Sequence, residues 1–592
     1  MNNLRLTLLV FASIALAACA NSEAVNDAGA SGSGGTSAQG DGGSGGSVGA
    51  GGSASGGETG TGGSVATGGA TGSGGARATG GTSGGTGGGV GAGGKGGATE
   101  TGGTTGTGGA SATGGTTGQG GSTGQGGKPG SGGTTATGGA TGTGGTLATG
   151  GTTGSGGTTG SGNAPGNASS VYPPVNGTNV CPDPQLRITF SAAPSIGTSG
   201  LIQVFNSSGT AVASVDVGAS TYSSTNGGMT YNIQRPVYVD GNTVVVYLPS
   251  KPLTYNQTYY VNVASGAIKS SSGAAFVVTG STAWRFTTAA AAPTNKAAVG
   301  VALDGSAPFC SLQGALDFIP ANNTAAVTVS IANGTYHEIV YFKSKSNVSI
   351  QGASESGTII EGTNNNNLNP STKGRALFGA DGTNGLTIDN LTVYNQTPQG
   401  GSQAEALRLE TCDKCVVTNS TIISYQDTLL WDGRIYAKND LIEGNVDYVW
   451  GGGVVYFDSC EIRTINRSGG VIVQARNAAG AYGYVFVNCK LTSDSVSTGI
   501  ALARIDLTMY PASMVAYVNC QMTSNIAPVG WTIIAGSDTS QLRFWEYQSV
   551  TPSGTAVDVS KRYAGSMQIS SSEATMMSTP SVVLAGWQPP GT

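Results

Sequence analysis

A short motif recurs through the C-terminal half of the chain and constrains its fold more than any other feature. In six segments a polar residue is followed three positions later by a large aliphatic residue or Met. The intervals are 29, 20, 20, 29 and 31 residues, and the polar positions are Asn390, Asn419, Asn439, Ser459, Asn488 and Asn519. Short β-branched and aromatic runs at such a period are typical of strands stacked as coils. The pattern predicts a parallel β-helix with external loops.

Two acids occupy equivalent places in this repeat. Asp427 and Asp447 each lie eight residues after the polar position of a motif, and they are 20 residues apart. If the two segments form adjacent coils, their backbones lie one strand spacing apart, roughly 5 Å. Two carboxylates this close do not both ionise easily, so we expect one to be protonated and the other an anion. Such a pair suits an acid and a nucleophile.

The composition limits the other chemistries. The net charge of −5 gives no reason to expect a nucleic acid or an anionic membrane surface as a partner. The single histidine, His337, leaves one candidate base for a Ser-His-Asp triad and excludes a metal site with several His ligands. We expect no metal, and we expect His337 to be a surface or loop residue.

The N-terminal region indicates export. Residues 1–19 contain a positive Arg5, an apolar run and the sequence LAAC, which resembles a bacterial lipobox in which Cys19 is diacylated. An ordinary cleaved signal with a chance Cys is the alternative. The prediction is a lipoprotein held at the outer surface of a bacterial cell or its outer membrane, with the membrane as a partner through its lipid. Release from the cell is the alternative.

Two further regions follow. Residues 20–169 are rich in Gly, Thr and Ser, with too few large apolar residues to fold, so we expect a disordered tether rather than a silk-like assembly. Residues 170–288 contain short alternating runs such as LRITF and TYYVNV, which predict an all-β sandwich. This region resembles bacterial Ig-like modules, for which we favour a spacer role over carbohydrate binding or adhesion.

The segment 297–592 carries a series of blocks in one order: DGSAPFCSLQGALDFIP, NGTYHE, SQAEAL, YQDTLL, IEGNVDYVWG and LAR. Together they resemble the pectin methylesterases. The resemblance implies a right-handed parallel β-helix, an esterase that needs no cofactor, and methyl-esterified pectin as the substrate. We expect a monomer.

The resemblance also implies roles for individual residues. Asp447 corresponds to the nucleophile and Asp427 to the general acid and later base. Gln403 and Gln426 would donate to the oxyanion, and Arg504 would hydrogen-bond Asp447 and keep it ionised. Taken singly, each of these residues has a structural alternative, such as a polar turn, an amide ladder or an ion-pair partner.

Aromatic residues flank the two acids. Tyr425, Tyr448 and Trp450 are candidate substrate contacts, as is Trp431, although aromatic side chains also pack the coils of a β-helix. Trp450 is the best candidate, because the family has an aromatic residue there.

The chain departs from the family at two places. Where the family usually has GRPW, this chain has Ala503-Arg504-Ile505-Asp506, and GWTIIAG lacks a later Trp. Asp506 would repel an anionic sugar, so we expect a preference for highly methylated or uncharged esters. Two alternatives stay open: hydrolysis of acyl thioesters, and a β-helix that binds carbohydrate without catalysis.

The cysteines divide by position. Cys460, Cys489 and Cys520 share one repeat position and predict an inward stack of thiols. Two others, in TCDKC, are placed for a local disulfide, which an exported chain permits. The sequence leaves a bond between Cys181 and Cys310, in different domains, as a possibility.

Overall fold

The computed structural model describes residue 160 and residues 162–592. The predicted signal peptide, Cys19 and most of the tether lie outside this part. Within it, no helix is long and apolar enough to cross a membrane. The described chain forms an Ig-like β-sandwich followed by a parallel β-helix, which confirms the predicted fold class.

The Ig-like domain is built from thirteen strands around a buried Trp284. Its main sheets have the orders β1-β3-β10-β9 and β2-β13-β11-β5-β6, and two antiparallel pairs, β12-β4 and the hairpin β7-β8, complete it. The strands are β1 Ser170–Tyr172, β2 Gly177–Val180, β3 Leu186–Thr189, β4 Ser195–Ile196, β5 Leu201–Asn206, β6 Ala211–Asp216, β7 Thr221–Asn226, β8 Met229–Gln234, β9 Val237–Asp240, β10 Thr243–Val246, β11 Thr258–Val263, β12 Ile268–Lys269 and β13 Arg285–Thr288.

The β-helix contains the remaining strands and three short helices. An eight-stranded parallel sheet has the order β16-β19-β22-β24-β26-β29-β32-β35, and the other strands form a seventeen-stranded sheet. The strands are β14 Ala298–Val301, β15 Val327–Ile331, β16 Gly334–His337, β17 Val340–Lys343, β18 Val348–Gly352, β19 Thr358–Gly362, β20 Phe378–Asp381, β21 Thr387–Asp389, β22 Thr392–Asn395, β23 Leu407–Thr418, β24 Thr421–Ile423, β25 Leu429–Lys438, β26 Leu441–Gly444, β27 Val446–Gly451, β28 Val454–Asp458, β29 Glu461–Thr464, β30 Val471–Ala475, β31 Tyr484–Val487, β32 Lys490–Ser493, β33 Ala501–Asp506, β34 Met514–Val518, β35 Gln521–Met522, β36 Trp531–Ala535, β37 Arg543–Tyr547 and β38 Met567–Gln568; the helices are α1 Leu312–Phe318, α2 Ser571–Met577 and α3 Pro580–Val583.

The recurring polar residue makes the tight turn between the two sheets. At all six motif positions its backbone is left-handed, with φ between 50° and 61°. Asn adopts this region at lower cost than most residues because its short side chain hydrogen-bonds locally. Turns on adjacent coils also contact each other, since Asn439 Nδ2 donates to Asn419 Oδ1 at 3.4 Å. The repeat seen in the sequence is therefore a repeat of turns.

Side chains from successive coils stack inside the helix. The ring of Phe457 lies parallel to Trp431, with centroids 5.6 Å apart, and to Phe486 at 4.4 Å. The predicted thiol stack is confirmed, because Cys489 contacts both Cys460 and Cys520 on the neighbouring coils and all three are buried and unbridged. The local disulfide is also present, between Cys412 and Cys415.

The two domains are joined by more than the linker. Cys181 and Cys310 form a disulfide, which decides the pairing that the sequence left open. The buried Asp183 of the Ig-like domain accepts from Cys310 N at 3.0 Å and from Ser311 N at 2.9 Å. Ser311 is the N-cap of α1, which packs on the first coil. Lys251 also lies 2.6 Å from Asp317 of this helix.

The interdomain disulfide should stabilise the fold far more than the local one. It links positions 129 residues apart, whereas Cys412 and Cys415 are 3 apart. Loop-closure entropy gives about 5 kcal/mol for the long loop and roughly 2 kcal/mol for the short one. We expect Cys181→Ser/Cys310→Ser to lower the urea midpoint clearly more than Cys412→Ser/Cys415→Ser. Equal shifts would contradict this assignment of the stability.

Candidate active site

The two acids lie on adjacent coils, as predicted. Strands β24 and β26 pair in parallel, and Gln426 continues this pairing with Val446 beyond the strand ends. The backbone N–H of Asp427 donates to Val446 O at 3.1 Å. Both acids have a left-handed backbone, with φ of 64° and 47°. Such conformations are unfavourable for a non-Gly residue and are held by the surrounding structure.

Asp447 is held by an arginine from a later coil. Arg504 donates from Nε to Oδ1 of Asp447 at 2.8 Å and from Nη2 to Oδ2. Gln474 Nε2 adds a contact to Oδ2 at 3.3 Å. Two parallel donors from one guanidinium favour the carboxylate anion and fix its orientation. Asp447 is 3% exposed, so its charge is held largely out of water.

Asp427 contacts a different arginine, one that the sequence analysis did not single out. Arg375 Nη2 donates to Asp427 Oδ2 at 2.9 Å. The same guanidinium donates from Nε and Nη2 to Glu405, at 2.8–2.9 Å. Glu405 is fully buried, and burial raises its pKa while Arg375 acts to lower it. The only hint in the sequence was an acid within the SQAEAL block.

The two candidate glutamines lie in different segments of the chain. Gln426 directly precedes Asp427 and, with Tyr425 and Asn445, lines a small cavity of about 50 Å³. Gln403 accepts from Ser402 Oγ at 2.9 Å through its amide oxygen. This contact does not use the amide N–H groups that the predicted oxyanion role requires. The roles of both glutamines stay predictions.

The aromatic candidates separate into two groups. Trp450 is 7% exposed and lies under the guanidinium of Arg476, 4.6 Å from the ring centre, and that of Arg375 at 5.7 Å. Tyr425 is half-buried, and its hydroxyl accepts from Asn466 at 3.3 Å. Both are placed beside the acids.

Tyr448 is not placed to contact a substrate. Its side chain is fully buried in the core, and its hydroxyl lies 3.0 Å from Thr464 Oγ1. This burial contradicts its predicted substrate role. The left-handed backbone of Asp447 and the register shift between Val446 and Val449 break the usual alternation of faces, so Tyr448 and Val449 both belong to the core. Trp431 is buried as well.

The segment that departs from the family has its own structure. Ile505 is buried in β33, whereas the Oδ1 atom of Asp506 accepts from Thr508 N at 2.8 Å and from its hydroxyl. The hydroxyl contact is the largest cause of a lowered pKa of Asp506. Nearby, Tyr510 lies 5.2 Å from the guanidinium of Arg476, which also contacts Trp450. Asp506 is therefore an anion that closes a turn.

Two carboxylates on neighbouring coils, each paired with its own arginine, define a site for acid–base and nucleophilic chemistry without histidine. In the described residues there is no group of three His, Cys, Asp or Glu side chains placed to hold a metal ion. Residues 298–586 match the Pectinesterase family model, and residues 162–288 match the Bacterial Ig-like domain model.

The chain belongs to the pectinesterase family. It is 30% identical to Pectinesterase 1 of Olea europaea over 289 residues, covering 46% of this chain and 74% of that protein. Over 290 residues it is 29% identical to Pectinesterase 31 of Arabidopsis thaliana, covering 47% and 89%. A pectin methylesterase from carrot has a TM-score of 0.44 at 24% identity, covering 49% of this chain and 93% of that one.

Arg375 should be needed for stability mainly because Glu405 is buried. We expect Arg375→Met alone to cost about 3–5 kcal/mol, since it leaves a buried carboxylate without its partner. Arg375→Met/Glu405→Leu should recover most of this loss, as measured by urea unfolding.

The partly exposed pair of Arg434 and Asp413, with side chains 29% and 41% exposed, provides a control. Arg434→Met should cost at most about 1 kcal/mol, because surface ion pairs contribute little. If the double variant at 375 and 405 is no more stable than Arg375→Met, another contact of Arg375 carries the effect.

Proposed function

We propose that this protein hydrolyses the methyl esters of galacturonate residues in pectin, releasing methanol and leaving a free carboxylate. The observation that carries the proposal is the bidentate pairing of Asp447 with Arg504, one coil from Asp427. Membership of the pectinesterase family supports the same substrate class. In the reaction steps below, each site residue has the role that the family resemblance implies.

In the first half-reaction, a carboxylate oxygen of Asp447 attacks the ester carbonyl carbon. The carbonyl oxygen becomes an oxyanion, and the amide N–H groups of Gln403 and Gln426 donate to it. As the tetrahedral intermediate collapses, the bond from carbon to the methoxy oxygen breaks and Asp427 gives its proton to the departing methanol. The product is an anhydride between Asp447 and the uronate.

In the second half-reaction, a water molecule enters beside Asp427, which is now an anion. Asp427 takes a proton from this water, and the resulting hydroxide attacks the uronate carbonyl of the anhydride. Collapse of the second intermediate breaks the anhydride bond to Asp447, regenerates the Asp447 anion and releases the uronic acid, which loses its proton to solvent. Arg504 then again donates two hydrogen bonds to the Asp447 carboxylate.

The substrate preference follows from the charge near the site. Asp506 remains an anion at the end of β33, where the family usually has Trp. An acid at this place repels a free galacturonate neighbour more than a methylated one. We propose that highly methylated pectin is the better substrate.

The catalytic assignment is tested by methanol release from highly methylated pectin. We expect Asp427→Asn to lower kcat about 10²- to 10⁴-fold, the range for general acid–base groups, and Asp447→Asn at least as much. Asp413→Asn, which alters an acid paired with Arg434 elsewhere, should retain full activity.

Retention of activity in Asp447→Asn would refute this nucleophile. A folded parent that releases no methanol would refute the substrate, and acyl thioesters would be the next substrate to assay.

We further propose that Cys19, which lies outside the described residues, anchors the protein to the outer surface of a bacterial cell. The support is the LAAC sequence after an apolar run. Cys19→Ala should move the protein from the membrane fraction to the soluble fraction of the producing bacterium, and mass spectrometry should show the loss of a diacylglyceryl group. An unchanged membrane fraction would count against the anchor.

A further inference from the structure

A cavity of about 480 Å³ lies between the Ig-like domain and the first coils of the β-helix. Arg235, Tyr238 and Asp240 line it from the Ig-like side, and Glu361 and Gln396 from the β-helix. This interdomain cavity is about the size of a small-molecule site. The Ig-like domain is fixed against the β-helix by a disulfide, so the cavity has walls from both domains.

One row of equivalent positions connects the interdomain cavity to the two acids. Strands β16, β19, β22, β24 and β26 pair side by side in parallel, so the last outward-facing residue of each strand aligns with those of its neighbours. The residue two positions after each of these continues the alignment across five coils. These positions are Ile339, Thr363, Gln396, Tyr425 and Asn445. The first three line the interdomain cavity, and the last two line the small cavity beside Asp427.

Hydrogen bonds continue this register past the strand ends. The backbone N–H of Gln396 donates to Gly362 O at 2.7 Å, and that of Ser424 donates to Glu443 O at 3.3 Å. Since neighbouring coils are about 4.8 Å apart, Gln396 lies two coils, or about 10 Å, from Asn445 along the helix axis. A polymer aligned with this row at the acids would therefore reach the cavity within a few sugar units.

The lining of the cavity is polar and does not favour anions. It contains the carboxyl groups of Asp240 and Glu361 but one exposed guanidinium, that of Arg235. The imidazole of His337 packs on the ring of Tyr238, with centroids 4.1 Å apart, and its Nδ1 lies 3.2 Å from Glu361 Oε1.

Burial lowers the pKa of His337 to about 4 despite the nearby Asp240, so at neutral pH it adds no positive charge. Its contact with Glu361 is then not an ion pair. Hydroxyl groups can donate to the two carboxylates, but a free uronate would be repelled by them. Methyl esterification removes that charge.

We propose that the interdomain cavity is a distal subsite for methyl-esterified residues of the pectin chain, with part of its wall supplied by the Ig-like domain. The proposal rests on the proposed function, because it assumes that a polyuronate ester occupies the row beside Asp427. It adds a substrate-positioning role for a domain that the sequence suggested was a spacer.

The test blocks the subsite in the full chain. Thr363→Trp fills the cavity, and Gln396→Ala is a milder change at an exposed residue. We compare kcat/KM on long methylated chains with kcat/KM on methylated dimers. The ratio of the two values should fall in Thr363→Trp and in Gln396→Ala, by at least about fivefold in Thr363→Trp. The fall should come from a higher KM on long chains and not from a lower kcat. Thr328→Trp, on a half-buried position of β15 outside the cavity, is the matched control. Equal ratios in Thr363→Trp and Thr328→Trp would overturn the subsite.

A second readout separates this proposal from the catalytic one. In an Asp447→Asn background, calorimetry with a long methylated oligogalacturonide should show weaker binding when Thr363→Trp is added. Asp240→Asn/Glu361→Gln should narrow the preference for methylated over de-esterified chains. If the parent has no esterase activity but this binding pattern holds, only the catalytic proposal fails. If binding is unaffected by Thr363→Trp, the subsite is refuted whatever the activity.

Discussion

The in-register stacking of coils is the constraint on which the site depends. Because the strands that flank Asp427 and Asp447 pair at an offset of 20 residues, the two carboxylates occupy the same place on successive coils. The bond from Asp427 N to Val446 O makes this spacing a property of the backbone. A shift of one residue between the coils would move the two carboxylates out of this shared position. The hydrogen-bonded pairing of the coils therefore sets the relative position of the two carboxylates.

The arginines then make the two acids unequal. Arg504 directs both Nε and Nη2 to Asp447, whereas Arg375 divides its donors between Glu405 and Asp427. A guanidinium shared with a buried carboxylate stabilises the Asp427 anion less than one whose two donors converge on the same group. This difference fits an acid that must gain and lose a proton beside a nucleophile that must stay ionised. The difference arises because Arg504 comes from strand β33, whereas Arg375 comes from the connection between β19 and β20.

The sequence predicted the features that follow from the repeat of the coils and missed those that lie on the connections between strands. The 20-residue offset placed Asp427 beside Asp447, and the shared repeat position of Cys460, Cys489 and Cys520 predicted their buried stack. Arg375 lies 52 residues before Asp427, on a connection between strands that has no repeat of its own, so no spacing linked them. Tyr448 was wrongly predicted because period 2 places it on the same face as Trp450. The left-handed backbone at Asp447 and the register shift after Val446 interrupt the alternation, and no sequence pattern showed this interruption.

The junction between the domains gives the Ig-like domain one orientation relative to the β-helix. A spacer needs only a length, and its orientation is free. Here the carboxyl group of Asp183 is buried against the start of α1. Burial raises its pKa, and the hydrogen bonds donated by Ser311 and Cys310 act in the opposite direction. Separating the domains would leave these donors and the carboxylate to find other partners, and it would also require the disulfide to be broken. The structure thus fixes the Ig-like domain at one end of the row that leads to Asp447. A fixed orientation is what a substrate subsite shared between two domains requires.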